Sequence, residues 1–286
     1  MLGAASPAMP PFQPVLPSAP GERLQWGNAG GAISALAIAR AAERHRGLIL
    51  VVTADAQGAA LLESEIRFFA GDDLDLLAFP DWETLPYDVF SPLPELVSQR
   101  LSTLHALRDL RSGILVVPVT TLVQRLCPPA FLDAHSLVLR VRDRFDLPAT
   151  RRRLEQAGYQ CVSQVVGHGE FAVRGALVDL FPMGMDAPLR IDLLGDEVDS
   201  IRTFDPDTQR TVARVAAVRT LPAREFPVDP AAIQRFRSQF RTAFLKPGLD
   251  FILEHFGHPH HPQESAVAFD ELALGDVELG MTDKSG

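Results

Sequence analysis

In the first half of the chain, segments with helical spacing of apolar residues alternate with short uninterrupted apolar runs. Residues 30–45, 56–70 and 93–110 repeat apolar side chains every three or four positions, which predicts amphipathic helices. Residues 48–52, 74–79 and 114–117 are β-prone runs, and the first (LILVV) is typical of a strand buried on both faces. Strands and helices that alternate with short links predict a parallel α/β sheet with right-handed crossovers.

After about residue 127 the pattern changes to one strand after another. Residues 136–142 (SLVLRVR) alternate apolar and polar positions, and a helix is predicted over 147–158 and again over 230–244. The remaining predicted strands cover residues 161–167, 170–173, 176–181, 189–194, 197–204 and 212–219. Between two of them, Gly195-Asp196 fits a two-residue type II′ hairpin turn. The pattern predicts an inserted α+β domain with an antiparallel sheet.

Composition and charge exclude several classes of protein. The 286 residues contain 27 Lys and Arg against 36 Asp and Glu, a net charge of −9, which argues against non-specific coating of nucleic acid. The two cysteines, Cys127 and Cys161, exclude a disulfide scaffold, fit a reducing cytoplasm and are interpreted as buried structural thiols. Because no apolar run approaches the ~20 residues needed to cross a bilayer, we expect a cytoplasmic protein without a membrane partner.

Two candidate chemical sites are weak. Residues 27–34 place glycines at a predicted helix start, but no lysine follows, and residues 116–119 carry no acidic box after their strand. Phosphoryl transfer would lack its charge stabilisation, so neither catalysis nor a cofactor is predicted. A Pro-interrupted segment holds four histidines and is interpreted as solvated rather than metal-binding: His255, His258, His260 and His261.

One predicted strand face carries more information. Because side chains alternate along a strand, Arg190, Asp192 and Leu194 share one face, and Ile191 and Leu193 point to the opposite, core-facing side. Arg174, in the preceding strand region, is expected to join the first group. Arginine beside exposed apolar surface favours a protein–protein contact, and the alternative interpretation is an ordinary solvated sheet face.

Three long segments add a family resemblance. They are FPDWETLPYDVFSPLPELVSQRLSTLHAL (79–107), GHGEFAVRGALVDLFPMG (167–184) and RIDLLGDEVDSIRTFDPDTQRT (190–211). Together they resemble the N-terminal part of the bacterial transcription-repair coupling factors (Mfd), a region similar to the repair protein UvrB. The likeness runs from about residue 22 to residue 244.

The resemblance implies a degenerate helicase-like α/β domain, with P-loop-type architecture but without the motif, and an inserted domain that recruits UvrA. It divides the chain into a disordered leader (1–21), domain 1a (22–127), the UvrA-interaction domain 2 (128–219) and the start of domain 1b (220–245). Residues 246–286 are a divergent tail for which disorder is one interpretation. By motif position the UvrA-binding arginines are Arg174 and Arg190, with Leu194 as the apolar contact and Asp192 beside them.

The expected function is therefore a non-catalytic adaptor of transcription-coupled nucleotide excision repair. In the longer family members, RNA polymerase and DNA are further partners, through domains that this sequence is not expected to contain. Residues 87–92 pass directly into the predicted helix, which leaves no room for a DNA-clamping hairpin like that of UvrB. The alternatives are a remote ATP-dependent helicase or translocase component, or a truncated remnant without function.

Overall fold

A computed structural model describes residues 13–27, 30–71, 74–84, 90–227 and 229–244. By compactness the chain divides into two units. The first unit comprises Met1–Trp82 and Glu95–Gln124, and the second comprises Glu83–Pro94 and Arg125–Gly286. The domain ranges expected from the resemblance stay predictions, because compactness alone does not assign a functional domain.

The first unit is a small parallel α/β fold. Its sheet has three parallel strands in the order β1-β3-β2, as the alternation of strands and helices predicts. The elements are α1 (Ala32–Arg44), β1 (Leu48–Thr53), α2 (Ala56–Ala70), β2 (Leu76–Ala78), α3 (Pro94–Ala106), β3 (Gly113–Pro118) and α4 (Val119–Leu122). The P-loop-type architecture expected of this unit, without the motif, stays a prediction.

Strand β1 corrects one sequence-based expectation. Its residues Ile49 and Val51 pack into the helix-facing core of the first unit, whereas Leu48, Leu50 and Val52 are exposed. The prediction that this run is buried on both faces is therefore wrong. The reason is position in the sheet: β1 is an edge strand, and the doubly buried strand is β3, which lies in the middle.

The second unit contains two antiparallel arrangements. A six-stranded sheet has the order β10-β9-β8-β7-β6-β5 and is antiparallel except for the β5–β6 pair, and β4 pairs with β11 in a two-stranded sheet. The elements are α5 (Pro129–His135), β4 (Leu137–Arg140), α6 (Leu147–Gln156), β5 (Gln160–Cys161), β6 (Glu170–Arg174), β7 (Leu177–Leu180), β8 (Leu189–Leu194), β9 (Glu197–Phe204), β10 (Thr211–Val215), β11 (Ala217–Thr220) and α7 (Pro230–Phe244). The predicted α+β character is confirmed.

Two strand predictions in the second unit need correction. The single strand predicted over 212–219 is two strands, β10 and β11, which belong to different sheets. The chain bends at Ala216, and an alternating pattern that continues across a bend does not reveal it. The strand predicted over 161–167 keeps only its first residue, Cys161, in β5, because Val165 is buried instead in a small cluster with Ala172, Phe181 and Phe204.

The main core of the second unit lies between its two sheets. The small sheet contributes Leu139 and Val218, and the large sheet contributes Val178, Ile191 and Ile201. Full burial of a side chain of this size contributes about 1.5–3 kcal/mol, so this layer stabilises one face of the large sheet. We call the opposite face of the large sheet, which faces away from this core, the outer face.

The ends of the chain differ in what the structure describes. Residues 13–21 were expected to belong to a disordered leader, but Pro14 is buried and its carbonyl accepts a hydrogen bond from Arg44 at 2.8 Å. Trp26 donates to the carbonyl of Val15 at 3.0 Å, so order extends into the predicted leader. The predicted divergent tail, 246–286, lies outside the described residues. Among the described helices, none combines the length and apolar character that crossing a bilayer requires.

Candidate protein-interaction site

Strand register brings four charged residues into one row across the outer face. Asp179 on β7 lies opposite Arg190 on β8, which lies opposite Arg202 on β9, and Arg202 lies opposite Arg214 on β10. Neighbouring strands are about 4.8 Å apart, so the three arginines stand side by side. Like charges directly opposite one another destabilise a sheet unless nearby carboxylates compensate them.

Asp179 supplies the first compensation. Its side chain is 0% exposed, and its Oδ1 and Oδ2 accept from Nε and Nη2 of Arg190 at 2.8 and 3.0 Å. Arg174, diagonally across on β6, donates from Nη2 to the same Oδ2. A buried carboxylate with two charge-assisted partners is stable, whereas one that loses its partners is left as an uncompensated charge.

Arg190 is held from several directions. Its Nη1 donates to the carbonyl of Gln209 at 3.1 Å, and its guanidinium carbon lies 4.6 Å from the centre of the Phe204 ring. The hydrogen bond with Asp179 raises the pKa of Arg190 above its ordinary value. The side chain is 16% exposed, and its three bonds leave two of five N–H donors for another acceptor.

Arg174 and Leu194 are the accessible members of the predicted set. The Arg174 side chain is 48% exposed, so its guanidinium is anchored by Asp179 on one side and faces solvent on the other. Leu194 is 75% exposed at the end of β8, next to the hairpin turn. A fixed cation and an exposed apolar residue on one sheet face can receive a carboxylate and an apolar group from another protein.

Asp192 lies on the same face but is already paired. It accepts from Arg202 and, at 2.7 Å, from Oγ of Ser200, which is directly opposite on β9. The structure therefore brings Arg174, Arg190, Asp192 and Leu194 to one face, as alternation along the strands predicts. The assignment of these four residues to partner binding stays a prediction.

Sequence reasoning missed Arg202 and Arg214. Arg202 is paired with Asp192, but in the described part of the chain no carboxylate lies within ion-pair distance of Arg214, which is exposed on β10. Alternation along β10 places Arg214 on the outer face, but strict alternation fails in β9, where Val198 and Ile201 both enter the core although they are three residues apart. The missing signal was the register between strands, which shifts at an irregularity between Asp192 and Leu193.

The predicted hairpin turn between β8 and β9 is confirmed. Gly195 has a φ of 65°, and Asp196 is not among the non-glycine residues with positive φ, which is the combination that a type II′ turn requires. Asp196 also accepts from Nε of Arg144 at 3.0 Å, in a strongly exposed pair that contributes little stability. The turn holds Leu194 at the tip of the hairpin.

The structure describes the other candidate sites only in part. Helix α1 begins after Gly31 without a side-chain cap, and residues 28–29 of the glycine-rich stretch lie outside the described residues. The four tail histidines also lie outside them, and no group of three potential metal ligands occurs within the described ranges. Cys127 is buried, and burial raises its pKa to about 12, whereas Cys161 is exposed, contrary to its interpretation as a buried thiol.

Comparisons with known proteins show what this chain is similar to. A family model described as the UvrB interaction domain matches residues 137–226, the stretch that contains both sheets of the second unit. The transcription-repair-coupling factors of Haemophilus influenzae and Escherichia coli are each 48% identical to this chain over 233 residues. That of Myxococcus xanthus is 36% identical over 228 residues.

These matches cover most of this chain but only a small part of each relative. They cover 82% of the chain for the first two relatives and 78% for the third, but only 20%, 20% and 19% of the relatives themselves. The chain thus spans about one fifth of the length of the curated relatives it matches. It contains a UvrB interaction domain and is related, over most of its own length, to one part of the transcription-repair coupling factors.

Proposed function

We propose that this chain is a non-catalytic adaptor of transcription-coupled nucleotide excision repair that binds UvrA through the outer face of its six-stranded sheet. Two findings support the proposal. The relatives are named as transcription-repair-coupling factors, and the matched domain is described as a UvrB interaction domain. An adaptor acts by holding other proteins together, which requires a binding surface rather than a reaction centre.

The arrangement of Arg174, Asp179 and Arg190 is the observation that carries the proposal. Two arginines share one fully buried carboxylate, so their guanidinium groups are fixed before a partner arrives. Preorganised groups lose less conformational entropy on binding. Exposed Leu194 on the same face supplies an apolar contact, and it buries less area than an aromatic residue would.

The chemistry expected of the partner follows from this surface. Arg174 has half of its side chain in solvent, and Arg190 retains two free donors, so both select a partner with carboxylates or exposed carbonyl groups. An apolar group that covers Leu194 would exclude water from these hydrogen bonds and strengthen them. We therefore expect an acidic, partly apolar surface on UvrA.

Calorimetric titration of UvrA into the purified chain tests the proposal. We expect saturable binding that Arg174→Ala and Arg190→Ala each weaken by about tenfold, the size expected when a charge-assisted contact is lost. Arg67→Ala is the matched control, because Arg67 is an exposed arginine on α2 in the first unit. If the chain bound UvrA with unchanged affinity after each substitution on the outer face, the assignment of the surface would be wrong.

A further inference from the structure

The fully buried carboxylate of Asp179 has a role that the binding surface alone does not explain. Resting on the function proposed above, we propose that Asp179 is a positioning residue: it does not touch the partner, but holds Arg174 and Arg190 in the geometry that the partner recognises. Side chains of β6, β7 and β8 meet at this one residue. The site therefore includes the residue that positions the arginines as well as the arginines that make contact.

The hydrogen-bond geometry supports this role. Both oxygens of Asp179 face Arg190 in a bidentate pair, with distances of 2.8 and 3.0 Å, and Oδ2 is shared with Arg174. A planar guanidinium bound in this way cannot rotate without breaking two bonds. Because the Asp179 side chain is 0% exposed, a partner protein has no access to it. Its effect on binding must then pass through the two arginines.

The alternative roles of Asp179 predict different results. If Asp179 merely reduced the positive charge of the surface, its neutralisation would make the surface more cationic and tighten binding to an acidic partner. If it positions the arginines, neutralisation releases two long side chains and weakens binding despite the added positive charge. The sign of the change in affinity therefore distinguishes positioning from simple electrostatics.

Glu155 provides the matched control. It lies on α6, outside the six-stranded sheet, and it also pairs with an arginine, Arg151, at 2.9 Å. Unlike Asp179, it is about half exposed, and its partner is neither Arg174 nor Arg190. Neutralising Glu155 changes the net charge by the same amount without releasing those two arginines.

The experiment is a calorimetric titration of UvrA into the full chain carrying Asp179→Asn or Glu155→Gln. We expect Asp179→Asn to weaken binding by about tenfold, as for loss of one arginine contact, and Glu155→Gln to leave binding unchanged or slightly tighter. In the Arg174→Ala/Arg190→Ala background, Asp179→Asn should cause no further loss. Equal or tighter binding by Asp179→Asn alone, or a full additional loss in that background, would overturn the inference.

Two further measurements separate a loss of folding from a loss of arginine positioning. Thermal unfolding shows whether each variant is folded at the assay temperature. If Asp179→Asn is unfolded, the unmodified chain still decides the matter by NMR: the guanidinium groups of Arg174 and Arg190 should rotate slowly without UvrA, and free rotation of both would refute positioning. Loss of binding by the double arginine variant with normal binding by Asp179→Asn would refute positioning alone, whereas unchanged binding by both would refute the proposed surface.

Discussion

At the scale of single residues, Arg174 and Arg190 have the same charge but different environments. Arg190 is 16% exposed and donates hydrogen bonds to Asp179 and Gln209. Arg174 is 48% exposed and donates to one oxygen of Asp179. Arg190 therefore contributes both to the stability of the fold and to the proposed binding surface. Arg174 contributes mainly to the surface.

This difference predicts unequal effects on stability. Arg190→Ala leaves Asp179 buried with one partner and should lower the free energy of unfolding by about 2–4 kcal/mol. Arg174→Ala should lower it by less than about 1 kcal/mol, because the half-exposed pair is screened by solvent. Denaturant unfolding of both variants checks this, and equal losses would show that the two arginines support the fold alike.

Tyr159 is a buried residue that the sequence did not single out. Its hydroxyl donates to the carbonyl of Leu221 at 2.6 Å and accepts from the backbone N–H of Met183 at 3.1 Å, and burial raises its pKa well above the usual range. Tyr159→Phe would leave both backbone groups without this partner and should destabilise the chain by about 1–3 kcal/mol. Thermal unfolding measures the loss, and an unchanged midpoint would contradict it.

Leu194 offers a substitution that affects only binding. Because its side chain is 75% exposed, Leu194→Asp should change the free energy of unfolding by less than about 0.5 kcal/mol. It should nonetheless weaken UvrA binding severalfold, since it places a carboxylate where an apolar contact is proposed. Leu194→Phe should strengthen binding, because the larger ring buries more apolar area. Titration with UvrA checks both, and equal affinities would exclude Leu194 from the surface.

At the scale of elements, the β8–β9 hairpin shows what the sequence could and could not predict. Alternation predicted both strands with correct ends, and Gly195-Asp196 predicted the turn. The register could not be counted from the turn, because the irregularity between Asp192 and Leu193 shifts it by one residue. An unshifted hairpin would pair Arg190 with the buried Ile201, and the row of arginines would be lost.

The same limit applies to other elements. The sequence predicted LILVV as a strand correctly but its burial incorrectly, since burial depends on the order of strands in the sheet. It joined β10 and β11 because alternation continues through the bend at Ala216. Local patterns therefore predicted most elements. Strand pairing and the burial of strand faces depend on residues that are far apart in the chain, so these required the structure. Asp179 was missed for this reason, because nothing in the local sequence VDLF (178–181) indicates that its aspartate is the buried partner of two arginines.

The register also predicts a role for Arg214 on β10. This exposed arginine continues the row formed by Arg190 and Arg202. We expect Arg214→Ala to weaken UvrA binding about two- to fivefold at low salt, with a smaller effect at high salt, as for a cation at the rim of an interface. Arg219→Ala is the control, since Arg219 is an exposed arginine on the small sheet. Equal effects of both substitutions would indicate general electrostatics and not the row.

At the scale of the whole molecule, the net charge does not indicate the charge found on the outer face. The chain carries a formal charge of −9, yet its outer face presents a row of arginines. Total charge argues against non-specific binding to nucleic acid but does not predict this surface. The chain spans about one fifth of the transcription-repair-coupling factors it matches, and the adaptor role is proposed for that part.

An adaptor without a reaction centre should not hydrolyse ATP. The glycine-rich stretch at 27–34 is followed by no lysine that could reach a phosphate. We expect phosphate release from ATP by the purified chain to stay at the level of buffer, with or without UvrA. Release that falls when Gly30 is substituted would instead support the ATP-dependent alternative.

The most direct test of the central claim is the affinity of UvrA for the chain carrying both Arg174→Ala and Arg190→Ala. If the outer face of the six-stranded sheet is the docking surface, binding should fall by more than about a hundredfold in a chain whose thermal unfolding shows that it is still folded. The Arg67→Ala chain should bind as the unmodified chain does. Undiminished binding by the folded double variant would contradict the account.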